Sequence, residues 1–173
     1  MKNILVIGAG RSATSLISYL LNNAKANNWF VSVADYSLRL SEEAISQNKR
    51  GRALFFDVND KNQRHEEIKK SDIIVSMLPA SLHILVALDC ILLKKDLVTA
   101  SYVSDEILQL DDAAKKNGVL LLNEIGLDPG IDHMSAMKII DDIKEKGGKL
   151  TSFKSFCGGL VHPDYDNNPW NYK

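Results

Sequence analysis

Through the first 125 residues, short apolar runs alternate with stretches of helix length that are apolar on one face only. Residues 3–7 read as a buried strand, with Ile4, Leu5, Val6 and Ile7 in a row before Gly8. From Ser12 to about Ala26, Leu16, Ile17, Leu20 and Leu21 fall at helical spacing. Residues 30–34 form a second predicted strand ended by Asp35, residues 41–49 a short helix, and residues 53–56 a third strand. Asp60 and Gln63 have the spacing of a capping box ahead of a polar helix through Lys70. A fourth strand at 73–76 stops before Pro79, and Leu82, Leu85, Val86 and Cys90 give the next helix its apolar face. Residues 97–100 are strand five. A helix over 105–117 turns Ile107, Leu110, Ala113 and Ala114 inward and stops at Gly118, and residues 119–122 are strand six.

Six apolar strands separated by helices predict a doubly wound, mostly parallel α/β sheet covered on both faces. Right-handed crossovers place the loops after the strands along one sheet edge, where binding chemistry collects. After Glu124 the texture changes. The turn-rich run Gly126-Leu127-Asp128-Pro129-Gly130 leads into a helix whose Ile131, Met134, Met137, Ile140 and Ile143 form a stripe expected to be buried. Residues 149–157 alternate imperfectly and are expected to make a strand. The predicted division is a first domain over 1–125 and the incomplete start of a second, α+β, domain over 126–173.

Composition narrows the classes without choosing among them. Of 173 residues, 45% are hydrophobic and 25% charged, the globular average, which argues against disorder. Lysine plus arginine number 21 and aspartate plus glutamate 22, for a net charge of -1, so neither a nucleic acid nor a membrane partner is expected. No apolar run approaches the roughly 18 residues that cross a bilayer. Cys90 and Cys157 form no close metal-binding pair and no disulfide framework, so a reducing, cytoplasmic setting is expected.

The chemistry begins at Gly8-Ala9-Gly10-Arg11-Ser12-Ala13, a G-x-G-x-x-A run between the first strand and helix. Gly8 permits the tight turn, Gly10 lets a pyrophosphate approach the backbone, and Ala13 is small enough for close helix–sheet packing. Amides at the helix start, including those of Arg11 and Ser12, would meet the phosphate charge. Such turns also occur without a ligand; the five strands that follow favour the dinucleotide reading. Asp35, at the end of strand two and 25 residues beyond Gly10, can accept hydrogen bonds from both ribose hydroxyls and would repel a 2'-phosphate. The cofactor is therefore NAD or NADP with NAD favoured, while Arg39 is close enough in sequence to serve NADP.

Further residues follow the strand ends. Asp57 borders the expected adenine pocket, and Met77, Leu78 and Pro79 follow strand four where the cofactor's centre would lie. His83 reads either as a catalytic group or, in preference, as a surface residue at a helix start. Ser101 to Ser104 follow strand five, with Ser104 a natural helix cap. Residues 123–133 are denser in polar groups than a linker needs, yet hold too few clustered ligands for a metal to be assigned. Cys157, before Gly158-Gly159, reads as a nucleophile or equally as an inert thiol.

With these stretches the sequence resembles the N-terminal portion of saccharopine dehydrogenases of the glutamate-forming type. The resemblance rests on Met77-Leu78-Pro79-Ala80, Thr99 to Ser104, Asn123 to His133, Cys157-Gly158-Gly159-Leu160, Asn168-Pro169 and Tyr172-Lys173. It runs over essentially the whole chain, and Asn123 to His133 is far more specific than the glycine loop. It implies a Rossmann-type domain and NAD(P)-dependent hydride transfer at the secondary amine of saccharopine, giving L-glutamate and 2-aminoadipate 6-semialdehyde, or the reverse condensation, in lysine metabolism. It places Tyr102, Asp128 and Cys157 near the reaction centre as the catalytic candidates. The partner implied is a small amino-acid substrate, with a homo-oligomer or a complementing C-terminal chain as further expectations. Gly159-Leu160-Val161-His162-Pro163 departs from the family's Gly-Leu-Pro loop. Relatives continue through most of a substrate domain after the position of Lys173, so the chain is expected to be a truncated product or fragment. The alternatives are a non-catalytic dinucleotide-binding fragment and a carboxyspermidine-type dehydrogenase.

Overall fold

Four successive large aliphatic side chains can all be satisfied only if both faces of their strand are covered, and Ile4, Leu5, Val6 and Ile7 are all buried. In the computed structural model, which describes residues 1–156 and 158, they belong to the central strand of a parallel sheet. The strands are β1 (Lys2–Ile7), β2 (Trp29–Asp35), β3 (Gly51–Phe55), β4 (Ile73–Ser76), β5 (Asp96–Thr99) and β6 (Leu121–Leu122), in the order β3-β2-β1-β4-β5-β6. Every pairing is parallel; Val6, for example, stands between Val33 and Val75. The crossovers run through α1 (Thr14–Asn23), α2 (Leu38–Ile45), α3 (Lys61–Lys69), α4 (His83–Leu93), and the pair α5 (Asp105–Leu108) and α6 (Asp111–Asn117). This is the expected doubly wound α/β fold, and its order reverses between β1 and β4.

The pleat sorts β1 into two cores. Leu5 and Ile7 join Ile74, Leu97, Ile68, Val86, Cys90 and Ile107 beneath α3, α4 and α5. Ile4 and Val6 join Val31, Val33, Ala13, Ile17 and Leu21 beneath α1. The first core holds a buried ion pair between neighbouring helices: Arg64 Nε on α3 lies 2.7 Å from Asp89 Oδ2 on α4, and both side chains are only 7% exposed. Arg64 also donates to the Val58 carbonyl, so the guanidinium is held at both ends.

Local differences from expectation have local causes. The box at Asp60 is half formed. Asp60 caps the amides of Asn62 and Gln63 at 3.0 and 3.1 Å, whereas the Gln63 side chain bridges the Phe55 carbonyl and the Asp57 amide, both at 2.9 Å. The helix expected over 105–117 breaks at Gln109-Leu110, and Leu110 packs there against two apolar clusters. Gly118 ends α6 at φ +67°, as its composition required.

The chain divides after Ile131 into two compact units. Helix α7 (Ile131–Glu145) has no buried residue, which overturns the expected buried stripe: Ile131 is 60% and Met134 53% exposed. The physical reason is the lack of a second regular element to cover it among the described residues of that unit. Residues 149–156 carry no strand pairing, so the strand expected over 149–157 is not formed within the described residues. A single extended segment leaves its backbone groups unpaired unless another strand joins it. Among the described residues, no helix is long and apolar enough to cross a membrane.

The Arg64–Asp89 pair supplies the first test. Asp89→Ala leaves a buried guanidinium without its counter-charge and is expected to cost about 3 kcal/mol, read as a lowered urea midpoint.

Candidate dinucleotide and catalytic site

At the carboxyl end of β1 the chain must turn at once, because β4 lies alongside. Gly8 does so at φ +104°, and a Cβ there would stand 2.8 Å from the Met77 carbonyl oxygen. The position therefore excludes a side chain twice, by conformation and by contact. Gly10 is different. A Cβ on it would meet no atom within 4 Å, so nothing in the protein's own packing calls for glycine there. The amides of Gly10, Arg11 and Ser12 stand ahead of the first helical bond, from Ala13 N to Gly10 O at 2.9 Å, where helix starts leave donors free. Ala13 is fully buried against the sheet. An open approach to backbone donors at a helix start fits a pyrophosphate.

A cleft of about 420 Å³ continues from this loop along the sheet edge. Ile7, Gly8, Ala34, Phe56, Val58, Leu78, Pro79 and Leu82 give it apolar walls, and Asp35, Tyr36, Asp57 and Asn59 its polar ones. Asp57, Leu78 and Pro79 thus line one cleft with the glycine loop, and Met77 touches Gly8 from behind. Asp57 caps its own turn, accepting from the Asn59 amide at 2.9 Å. Arg39 sits on the exposed side of α2 and pairs with Glu43 at 2.7 Å. Tyr36, Phe56 and Asn59 were not singled out from the sequence; their place one or two residues from Asp35 and Asp57 was the available signal.

Asp35 is committed to the backbone. Its Oδ2 accepts from the Ala9 amide and its Oδ1 from the Ser37 amide, both at 2.8 Å. The carboxylate braces the glycine loop to the start of α2, with each oxygen already holding an N–H. These two bonds account for an aspartate at this position without any ribose contact, so its presence is not by itself evidence for NAD over NADP.

On the neighbouring strands, Tyr102 follows β5 and its hydroxyl donates to Asp128 Oδ1 at 3.3 Å. Asp128 stands in a closed loop: Gly126 N donates to the Pro129 carbonyl at 2.8 Å and Ile131 N to the Gly126 carbonyl at 3.0 Å. Gly130, at φ +148°, could carry no side chain without colliding with the Gly126 backbone. The run read as turn-rich connection is thus a tight loop presenting Asp128 to Tyr102. Cys157 lies outside the described residues.

His83 corrects an expectation. It is not a surface residue but 3% exposed, with Nδ1 2.8 Å from Ser76 Oγ and Nε2 2.8 Å from Ser101 Oγ. Burial pushes its pKa below the ordinary 6.5. Its spacing of three, four and seven residues from Val86, Ala87 and Cys90, which puts it on the apolar face of the helix, was the sequence signal for this. Cys90 is buried too, and burial, followed by the charges of Asp89 and Asp96, pushes its thiol up to about 12, which leaves it inert as a nucleophile.

Comparison with known proteins bears on the same residues. Residues 4–122 match the family description "Saccharopine dehydrogenase NADP binding domain", and residues 126–173 match "Saccharopine dehydrogenase C-terminal domain". The chain is 40% identical to an alpha-aminoadipic semialdehyde synthase of Arabidopsis thaliana, over 98% of this chain and 18% of that protein. It is 38% identical to the saccharopine dehydrogenase [NADP(+), L-glutamate-forming] of Saccharomyces cerevisiae, over 99% of this chain and 38% of that one. The apo structure of the Saccharomyces cerevisiae L-Glu-forming saccharopine dehydrogenase superposes with a TM-score of 0.83 at 36% identity, covering 98% of this chain and 37% of the other. The chain thus spans well under half the length of these relatives. The expected preference for NAD is overturned: the matching domain and the fungal relatives are named for NADP, and the carboxylate behind that preference is bound to the protein's own amides.

Two measurements separate the roles argued above. Gly8→Ala is expected to destabilise the fold by about 2 kcal/mol, whereas Gly10→Ala leaves the melting temperature unchanged and weakens dinucleotide binding roughly tenfold, read by calorimetry. For His83, whose ring faces hydroxyls from β4 and from around the end of β5, the folded state resists protonation. Its stabilising contribution is therefore complete above 6.5 and lost as pH falls below it, so the gap in urea midpoint between wild type and His83→Gln is expected to narrow from pH 7.5 to pH 5.5. By its nucleotide-site architecture and by the match over residues 4–122, the chain belongs to the saccharopine dehydrogenase family of NAD(P)-dependent oxidoreductases.

Proposed function

We propose that the chain is the cofactor-binding part of an NADP-dependent saccharopine dehydrogenase of the L-glutamate-forming type. The reaction is hydride transfer at the secondary amine of saccharopine and hydrolysis of the resulting imine to L-glutamate and 2-aminoadipate 6-semialdehyde, or the reverse reductive condensation. The observation that carries this reading is the conjunction of the Gly8–Ala13 loop with the Tyr102–Asp128 pair on one chain that matches glutamate-forming relatives over nearly all its length.

The nicotinamide, when bound, supplies the hydride chemistry. The protein's own residues have narrower tasks. The amides after Gly10 would hold the pyrophosphate, and the apolar walls of the cleft, Phe56, Val58 and Leu82 among them, would take the adenine end. Tyr102 and Asp128 would orient the substrate nitrogen: a phenol whose one O–H is given to a carboxylate can accept from an N–H, and donates toward a lone pair only when that O–H turns away from Asp128. Cys157 is a further candidate by the family resemblance alone. Tyr36 and Asn59, polar groups that line the cleft, would be the residues to meet the 2'-phosphate of NADP.

The chain is titrated with NADPH and NADH by calorimetry, and saccharopine is then added with NADP at 340 nm. Tighter binding of NADPH, and saccharopine-dependent absorbance that Tyr102→Phe lowers roughly tenfold or more, are expected. Preference for NADH would remove the cofactor assignment. Binding without turnover would leave the chain a dinucleotide-binding unit.

A further inference from the structure

His83 begins α4 under the carboxyl edge of the sheet and is engaged on both ring nitrogens. Nδ1 faces Ser76 Oγ at the end of β4. Nε2 faces Ser101 Oγ at 2.8 Å and Thr99 Oγ1 at 3.3 Å, around the end of β5. An apolar side chain would fill the same space in this helix without the desolvation cost of an imidazole, and three hydroxyls converge to offset that cost. The ring therefore ties together two neighbouring strand ends at the height of the site.

What hangs on the Nε2 side is specific. Ser101 precedes Tyr102, and its carbonyl accepts from the Glu124 amide at 3.0 Å. Glu124 Oε1 accepts from the Val103 amide at 3.2 Å, closing the turn around Tyr102. The Thr99 carbonyl accepts from Ile125 N at 3.3 Å, one residue before the loop that carries Asp128. The contact on the Nδ1 side reaches only Ser76, inside the sheet.

We propose that His83 is a positioning residue whose Nε2 sets the Ser101–Tyr102 turn, and with it the direction of the Tyr102 hydroxyl, while its Nδ1 serves only to anchor the ring to β4. The importance of that direction for turnover rests on the functional reading above; the mechanical link does not.

The two arms can be separated by amide side chains of different reach. His83→Asn places its terminal amide near the level of Nδ1 and loses the Ser101 contact, whereas His83→Gln reaches the level of Nε2. Both variants of the full chain are expected to melt earlier than wild type. Hydrogen exchange at the Val103 and Glu124 amides is expected to be faster in His83→Asn than in His83→Gln, on the order of fivefold, with Val6 and Val33 in the sheet unchanged. A merely structural histidine would loosen both variants alike, so equal exchange at Val103 and Glu124 in the two overturns the proposal. Should His83→Asn fail to fold, Ser101→Ala removes the same arm from the other side and carries the same expectation, with unchanged exchange at Glu124 overturning it. The readout needs no ligand. It therefore stands or falls independently of whether the chain binds NADPH or turns over saccharopine.

Discussion

The contact between Gly8 and the Met77 carbonyl is the constraint around which the site is arranged. β1 is flanked by parallel neighbours on both sides and covered on both faces, so its chain can leave only at the end, and β4 crowds that exit. A turn without a side chain is the one that fits. Once it is made, the amides of Gly10, Arg11 and Ser12 come ahead of the first helical bond, and the chain after β4 passes on to Leu78 and Pro79, which wall the cleft. The order reversal between β1 and β4 thus creates both the opening and the donors that face it.

Around that turn, charge is used as bracing more than as recognition. Asp35 holds the glycine loop to α2 through two amides, and Arg64 with Asp89 locks α3 to α4 in the core beneath the cleft. Asp35 fixes the loop that contains Gly8, and Arg64 also holds the carbonyl of Val58; Gly8 and Val58 both line the cleft, and each brace replaces the freedom of a surface charge by a defined geometry. His83 does a related task with a ring that burial keeps uncharged near neutral pH, joining β4 to β5 where the Tyr102 turn departs. The glycine loop and the Tyr102–Asp128 pair are therefore held by separate braces on two sides of the same sheet edge.

The alternation of runs carried the fold because burial on both faces of a parallel strand forbids polar alternation, and that rule is written residue by residue in Ile4 to Ile7. Strand positions, helix positions and the glycine loop were legible for this reason, whereas the order of the strands was not. The stripe on α7 was misjudged because periodicity states which face is apolar and not whether anything covers it.

The sequence by itself determined the doubly wound α/β class, the loop from Gly8 to Ala13 and the family motif from Asn123 to His133, since each depends on residue types at fixed local spacing. Only the tertiary structure decided the use of Asp35 as a brace, the burial of His83 among three hydroxyls, and the meeting of Tyr102 with Asp128 across 26 residues of chain. Those outcomes depend on which strand ends become neighbours, and a parallel sheet brings together residues that no local pattern connects.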